Sequence, residues 1–554
     1  MERRDVLKLG LLGAVGAGVL ATPLPETALS KSASRLSSRD FPAVFAAAFR
    51  RPQVLRPFST GVDAEGPVAR FSLTATAGTA RILPRLTTPV LTYAGVSPAP
   101  TIVVDDGTRV ELRVRNKMPL AHPQYGYPLS TVMHLHGSRS EPQYDGYADD
   151  AIPVQSSKQF HYPCDQGARS IWYHDHSAHR TATNVYSGLA GHFHVKDDYE
   201  RGQLPQGEFD VPLTITDAMF ASDGRLLFDD DGHKGLSGDV ILVNHVPWPV
   251  LRVKRRVYRF RFLVAAISRS FRFRLSSGEP FVVVGNDGGL LPVPQEVAWF
   301  RQGTGERVEV LVDFSGYAPG TRVSLLNDSN ENNVDYRHTD KVMQFLVVDD
   351  AFDGTNDGIP TALDVNPQVA EVLALTPEMA TRRVEVPLKH DDVTNEFSIG
   401  GLTWARVKTS GYREVLTDAQ IGEVQLWEIE NKSGGWFHPM HLHLADFRVL
   451  WRRSTPGNLP HPWELGAKDT VYVGEDDIVN ILVKFTVPKG SSGGRYMVHC
   501  HNLPHEDFDM MTQFRVGANE VGADPNDPIL AAPAVRDYLR PDSPTWEPSF
   551  PAGT

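Results

Sequence analysis

One tripeptide constrains the fold of this chain more than any other feature, because His499-Cys500-His501 places a cysteine between two histidines. In an extended strand, successive side chains point to opposite faces, so both imidazoles lie on one face and the thiol on the other. One short strand can therefore serve two separate metal sites. Other segments of the chain must then supply the remaining ligands on each face.

Candidate ligands for a metal bound to Cys500 lie both before and after it in the sequence. His505 and the pair Met510-Met511 follow Cys500 closely, and His438 precedes it. Two histidines, a thiolate and a weak thioether are the ligand set of a blue-copper electron-transfer site. Composition does not separate the two methionines, since either could reach the metal.

The imidazole face finds partners in three other histidine pairs, His134-Leu135-His136, His174-Asp175-His176 and His441-Leu442-His443. Together with His499 and His501 they supply eight imidazoles, enough for a cluster of three copper ions. A single pair of this kind is more often two hydrogen-bonded histidines than a metal site. However, ten of the chain's 20 histidines fall in these segments and around the cysteine, which favours copper.

The same segments resemble the four copper-binding motifs of the multicopper oxidase family. They read HLHG at 134–137, WYHDH at 172–176, HPMHLH at 438–443 and HCHNLPHEDFDMM at 499–511. The likeness extends over residues 85–516 and is greatest to bacterial laccases of the spore-coat type, related to bilirubin oxidase and phenoxazinone synthase. The resemblance implies an all-β fold of three cupredoxin-like Greek-key β-sandwich domains.

The resemblance also implies four copper ions per chain with specific ligands. Type 1 copper would be bound by His438, Cys500, His505 and, from its motif position, Met510. Type 2 copper would be bound by His134 and His441. The type 3 pair would be bound by His136, His174, His176, His443, His499 and His501. The cluster would then join the first and last domains.

Two acidic residues match positions that the spore-coat laccases use for proton delivery, Glu506 and Asp145. Reduction of dioxygen consumes protons, and carboxyl groups near the cluster could supply them if their pKa values are raised. The alternative for Asp145 is a turn before Gly146, and for Glu506 a hydrogen bond that orients a ligand.

The length of the chain and its strand pattern agree with several β domains. At 554 residues it is too long for one core, and short β-branched or aromatic runs alternate with Gly, Pro, Asn and Asp. Minor helices are predicted only at 41–49 and 532–539. The predicted divisions are a first domain at 40–203, a second at 204–355, a linker at 356–382, a third domain at 383–520 and a tail at 521–554.

The first thirty residues are predicted to be a signal peptide. Arg3-Arg4 precedes an apolar stretch at 7–21, a layout typical of twin-arginine export and of a secreted or extracytoplasmic protein. No other apolar run is long enough for a membrane span, so no membrane association is expected after export. A net charge of -12 argues against nucleic acid as a partner. Cys164 is expected to be a structural thiol, since Cys500 is a predicted ligand.

The resulting hypothesis is a laccase-like oxidase. It would take single electrons from phenols or aromatic amines, including o-aminophenols or bilirubin-like pigments, and reduce dioxygen to water. The alternative is a metal-ion oxidase that oxidises cuprous ions, but the ten methionines form no methionine-rich loop. The substrate pocket is expected to be built from loops, such as 454–465, that carry no readable specificity signal.

Overall fold

Short β-strands account for most of the secondary structure, as their spacing predicted. The computed structural model describes residues 33–350, 355–356, 358–517, 533–536 and 549–550. The predicted signal peptide and most of the predicted tail lie outside these residues. None of the helices in the described ranges combines the length and the apolar character needed to cross a bilayer.

The first sandwich contains two sheets, in the orders β1-β2-β5-β9-β34, with β3 on β2, and β4-β11-β10-β7. A separate two-stranded sheet joins β6 to β8. Two helices follow its later strands, α1 at Thr181–Tyr186 and α2 at Asp198–Gln203. The strands are β1 Ser59–Asp63, β2 Gly66–Ala80, β3 Thr88–Tyr93, β4 Ile102–Asp105, β5 Arg109–Asn116, β6 Ser130–Thr131, β7 Met133–His136, β8 Ile152–Pro153, β9 Ser156–Tyr162, β10 Arg169–Asp175, β11 Ala190–Lys196 and, from the end of the chain, β34 Val535–Arg536.

The second sandwich pairs a seven-stranded sheet, in the order β14-β13-β12-β16-β21-β18-β19, with a five-stranded sheet, β15-β23-β22-β17-β20. Its core is rich in phenylalanine and valine. The strands are β12 Asp210–Ala218, β13 Val240–Val243, β14 Val246–Pro247, β15 Val250–Val253, β16 Val257–Val264, β17 Phe271–Leu275, β18 Phe281–Asn286, β19 Gly289–Val297, β20 Trp299–Gln302, β21 Arg307–Asp313, β22 Arg322–Asn327 and β23 Lys341–Val347.

The third sandwich has two five-stranded sheets, β25-β24-β27-β31-β29 and β26-β33-β32-β28-β30. Its helices are α3 Pro367–Leu373, which leads into it, α4 Trp404–Thr409 and α5 Leu503–Asp507. The strands are β24 Arg382–His390, β25 Phe397–Ile399, β26 Asp418–Ala419, β27 Val424–Lys432, β28 His438–Leu442, β29 Phe447–Arg452, β30 Thr470–Val473, β31 Ile478–Lys484, β32 Gly493–Cys500 and β33 Met511–Gly517.

All three sandwiches repeat one pattern of strand pairing. Each of the six larger sheets contains a single parallel pair among antiparallel neighbours: β2 with β5, β4 with β11, β12 with β16, β15 with β23, β24 with β27, and β26 with β33. Parallel partners need long connections, which here cross between the two sheets of a sandwich. This is the Greek-key, cupredoxin-like architecture that the resemblance implied.

Two segments differ from their expected structure. Residues 41–49 form turns and one isolated bridge, between Ala48 and Val250, and no helix, because Phe41 and Phe49 pack separately onto the second sandwich. The helix predicted at 532–539 is also wrong for the part that the structure describes, since Val535–Arg536 pairs with β9 as a strand. In both places apolar residues meet a neighbouring surface, which overrides the local helical pattern.

The segment that precedes the first sandwich also differs from the prediction, which placed the start of the first domain at residue 40. Ser34 contacts Asp239, and the backbone N–H of Arg35 donates to the carbonyl of Phe220, so this segment lies along the second sandwich. The first strand of the first sandwich begins only at Ser59. The other predicted domain limits stay predictions.

Buried charges hold the first two sandwiches together. Arg261 is fully buried, and its guanidinium contacts Asp210 at 2.7 Å, Glu200 at 3.0 Å and Glu309 at 3.1 Å. Arg259 shares two of these carboxylates. A buried network of this kind is stable only while every charge keeps its partners.

We expect Arg261→Met to lower the free energy of unfolding by about 3–5 kcal/mol, because it leaves buried carboxylates without a matching cation. Urea denaturation followed by intrinsic fluorescence measures this loss. The matched control is Arg201→Met, which removes an exposed pair with Asp105 and should cost less than about 1 kcal/mol. Equal losses in the two variants would contradict a structural role for the buried network.

Candidate metal centre

The thiol of Cys500 lies at the end of β32 and meets the two predicted imidazoles. Its Sγ is 3.3 Å from His438 Nδ1 and 3.8 Å from His505 Nδ1. The two Nδ1 atoms lie 3.3 Å apart, and all three residues are buried. Burial raises the pKa of the Cys500 thiol well above its usual range, so a thiolate here requires a cation beside it.

Hydrogen bonds on the far side of each ring fix which nitrogen faces the sulfur. His438 Nε2 lies 2.8 Å from Ser433 Oγ, and His505 Nε2 donates to the carbonyl of Lys234 at 2.8 Å. With Nε2 engaged in this way, the Nδ1 lone pair of each ring points toward Cys500. Neither Ser433 nor Lys234 carries a signal in the sequence.

The structure distinguishes the two adjacent methionines. Met511 pairs in register with His499, so its side chain points to the face that carries the imidazoles. It packs there against Tyr147 and Trp404. Met510 belongs to the same buried cluster as Cys500.

The eight other histidines converge where the first and third sandwiches meet. They lie on or next to β7 and β10 of the first sandwich and β28 and β32 of the third, and all are buried. Two groups of three, each with ligand atoms within 4.8 Å of one another, are His136, His174 and His501, and His176, His443 and His499. His134 and His441 face each other across the interface, with their Nε2 atoms 3.4 Å apart.

These imidazoles have the properties expected of metal ligands. Among the described residues, His136 Nδ1, His174 Nε2, His443 Nε2 and His501 Nε2 are buried without a hydrogen-bond partner. Burial, followed by the neighbouring imidazoles, lowers the pKa of these rings, which keeps them neutral. Unpaired buried nitrogens are costly unless something binds them, so the residues fit a group of metal ions.

Both predicted acidic residues border the imidazole cluster. Asp145 Oδ2 accepts a hydrogen bond from His443 Nδ1 at 2.7 Å, and its carbonyl accepts one from His134 Nδ1 at 2.5 Å. Glu506 Oε2 lies 2.8 Å from His499 Nδ1, and its other oxygen lies 3.6 Å from His176 Nδ1. Each carboxyl group therefore contacts the sandwich to which it does not belong.

The two carboxyl groups have opposite electrostatic surroundings. Burial raises the pKa of Asp145 well above its usual range, so this group retains a proton more readily than an exposed aspartate. Burial also acts to raise the pKa of Glu506, but the nearby imidazoles of His499 and His176 outweigh it and the pKa is lowered. The raised pKa that proton delivery requires is therefore found at Asp145.

A third carboxylate was missed by the sequence analysis. Asp469 Oδ1 lies 3.0 Å from His136 Nε2, and the Asp469 carbonyl accepts a hydrogen bond from His441 Nδ1 at 2.9 Å. Arg307 of the second sandwich contacts the same carboxylate at 2.8 Å. Because Nε2 of His136 is engaged, the unpartnered Nδ1 is the nitrogen available to a metal. No motif surrounds Asp469 in the sequence, so no signal could have identified it.

One further histidine pair lies outside the cluster. His192 and His194 are on β11, beside Arg261 and not beside the third sandwich. The segment 454–465, expected to border the substrate pocket, contacts the second sandwich. Its Trp463 contacts Trp299 of the second sandwich, with ring centroids 4.9 Å apart. Cys164 is a free thiol in the core of the first sandwich.

Comparisons with known proteins point to one family. Sequence models described as multicopper oxidase match residues 74–200 and 383–520. Bilirubin oxidase of Albifimbria verrucaria is 36% identical over 445 residues, which cover 76% of this chain and 72% of that protein. A laccase of Bacillus subtilis is 31% identical over 472 residues, with 76% and 88% covered. The crystal structure of a multicopper oxidase variant from Aquifex aeolicus superposes with a TM-score of 0.73 at 30% identity and covers 85% of this chain and 100% of that one.

We expect Asp469→Asn to weaken metal binding by the imidazole cluster about 10- to 100-fold, because His136 loses its anionic partner. Metal content after dialysis against graded chelator measures this change. The visible absorption of a metal bound to Cys500 serves as an internal control and should persist. An exposed change, Asp418→Asn, should leave the metal content unchanged. Equal metal loss from both sites of the Asp469 variant would indicate general unfolding instead.

Proposed function

Since the chain belongs to the multicopper oxidase family, as its histidine segments predicted, we propose that it is a laccase-like oxidase. It couples one-electron oxidation of phenols or aromatic amines, such as o-aminophenols or bilirubin-like pigments, to the four-electron reduction of dioxygen to water. The relatives named laccase and bilirubin oxidase support this substrate range. The observation that carries the proposal is β32, on which Cys500 and the two flanking histidines join two ligand groups.

The ligand groups would accommodate four copper ions per chain. His438, Cys500 and His505, with Met510 beside them, would hold one ion, because a soft thiolate with two imidazoles favours copper. The two groups of three histidines would each hold an ion, and His134 with His441 would hold the fourth. Bound copper supplies one-electron redox chemistry, which lets single electrons from a donor be delivered four at a time to dioxygen.

The protein connects the two ligand groups and excludes water from them. Cys500 is bonded through the backbone to both His499 and His501, so the two ligand groups are linked by a few covalent bonds. All of these side chains are at most 1% exposed, which separates the site of dioxygen reduction from solvent. Such separation prevents the escape of partly reduced oxygen.

The carboxyl groups beside the cluster would transfer protons to the site of dioxygen reduction. Asp145 is hydrogen-bonded to a cluster histidine and has the raised pKa of a proton donor. Glu506 lies against two cluster histidines, which places it within reach of the cluster, although its lowered pKa does not favour the protonated form. The proton-delivery roles of both residues stay part of this proposal.

The first test is the metal content and colour of the purified protein. We expect about four coppers per chain and an intense blue absorption that arises from charge transfer between the Cys500 thiolate and copper. Cys500→Ser should abolish the absorption and the oxidation of phenols, while Cys164→Ser should retain both. Full blue intensity in the Cys500 variant would refute the ligand assignment.

The second test separates electron entry from proton delivery. We expect Asp145→Asn and Glu506→Gln to slow the reaction of the reduced protein with dioxygen by about 10²-fold, because each removes a group that transfers protons. Reduction by the donor should stay close to normal, and stopped-flow absorbance measures both phases. Since the protonated form of Asp145 is the donor, the dioxygen reaction should slow as pH rises through its raised pKa. A variant that reacts with dioxygen at the wild-type rate throughout would show that its residue has no proton role.

A further inference from the structure

A surface cavity lies beside residues that contact His505 on the side opposite Cys500. The cavity has a volume of about 390 Å³, which is within the range for small-molecule sites. Lys234 and Asn502 both line it. Because the carbonyl of Lys234 accepts the hydrogen bond from His505 Nε2, this wall of the cavity is one hydrogen bond away from a proposed copper ligand.

Asn502 lines this wall and carries a buried polar atom without a partner. Its side chain is 1% exposed, and Oδ1 has no hydrogen-bond partner among the described residues. The other end of the amide, Nδ2, lies 3.1 Å from His505 Nε2. A buried amide that lacks a partner is costly, and a hydroxyl or amino group bound in the cavity would satisfy it.

Aromatic residues form another part of the lining. Trp436, Phe437 and Tyr336 all border the cavity. The Trp436 ring lies 5.4 Å from the His505 ring and is nearly perpendicular to it, at 88°. Aromatic walls of this kind favour a planar ring, and the contact with His505 brings that ring close to the electron-accepting site.

The charge of the lining is negative. Asp229 and Asp231 are exposed at its rim, and neither forms an ion pair with the described residues. The lining has one cation, Lys234, so two carboxylates face a single ammonium. This balance favours a cationic ligand over a dicarboxylate such as a bile pigment. A metal ion is a less suitable ligand, because in the described part of the chain no three carboxylate, imidazole or thiolate groups converge at this cavity.

We propose that this cavity binds the reducing substrate and selects an electron-rich aromatic ring that carries a protonated amino group. This inference rests on the proposed oxidase function and specifies its substrate class. The ring lies against Trp436, its oxidisable hydroxyl or amino group reaches Asn502, and its ammonium lies near Asp229 and Asp231. For a catechol donor, two molecules each lose two electrons and two protons to give quinones, and one dioxygen takes up these four electrons and four protons as two waters.

The test compares two donors with the same oxidised ring. Dopamine carries an ammonium, and 3,4-dihydroxyphenylacetate carries a carboxylate on a similar side chain. We expect a lower KM for dopamine. In the double variant Asp229→Asn and Asp231→Asn, the KM for dopamine should rise about 3- to 10-fold and the KM for the carboxylate should fall, with kcat little changed. Added salt should reduce the difference between the donors in the wild-type protein.

A binding measurement provides a readout that is independent of turnover. Trimethylanilinium, a cation that this chemistry does not oxidise, should bind the holoprotein in calorimetry and should bind about 3- to 10-fold more weakly to the double variant. Benzoate should show no such preference for the wild type. The matched control is Asp198→Asn with Glu279→Gln, which removes two exposed carboxylates outside the cavity and should leave both donors and trimethylanilinium unaffected.

Two results would overturn the cavity assignment, and a third would overturn the proposed function. Unchanged KM values in the double variant would show that the cavity does not select the donor. A lower KM for ferrous or cuprous ions than for dopamine, lost in the double variant, would make the cavity a metal-ion site. If no donor drives dioxygen uptake by the wild-type holoprotein, the proposed function itself fails. If donors are oxidised but without charge selection, only the cavity assignment fails.

Discussion

The alternation of side chains along β32 is the constraint on which the rest of the site depends. Cys500 and its two histidine neighbours serve different ligand groups only because adjacent residues point to opposite faces. The pairing of His499 with His441 on β28 and with Met511 on β33 fixes this orientation. A slip of one residue would exchange the two faces and disrupt both groups. Strand register is therefore as important to the site as the ligands themselves.

The second requirement is the docking of the sandwiches, because each group of three histidines takes residues from both the first and the third. Arg169 of the first sandwich contacts Asp446 of the third at 2.8 Å, and Arg307 of the second contacts Asp469. Asp469 also contacts His136, so one carboxylate serves both docking and the metal site. Buried imidazoles without metal are costly, so metal binding should stabilise the same interface.

The sequence predicted what depends on local spacing, and it failed where distant segments meet. The histidine pairs and Cys500 were readable because strand alternation and adjacency in sequence determine their surroundings, whereas Glu506 and Asp145 were identified by their match to the family resemblance. Asp469 and Lys234 were not, because the contact of Asp469 with His136 and that of Lys234 with His505 join residues more than 250 positions apart. The predicted helix at 41–49 failed for the same reason, since its apolar residues pack onto the second sandwich.

His192 and His194 show that a histidine pair alone does not define a metal site. In the antiparallel pairing of β10 with β11, His192 lies opposite Trp172 and His194 opposite Ser170, so both share the face of His174. They lie further along the strand than His174, however, next to Ser170. Ser170 accepts a hydrogen bond from Arg261 at 3.0 Å. Burial and then this guanidinium lower the pKa of both rings. A fixed positive charge repels a metal cation, so the same pattern that gives ligands at the third sandwich gives neutral core histidines beside the second.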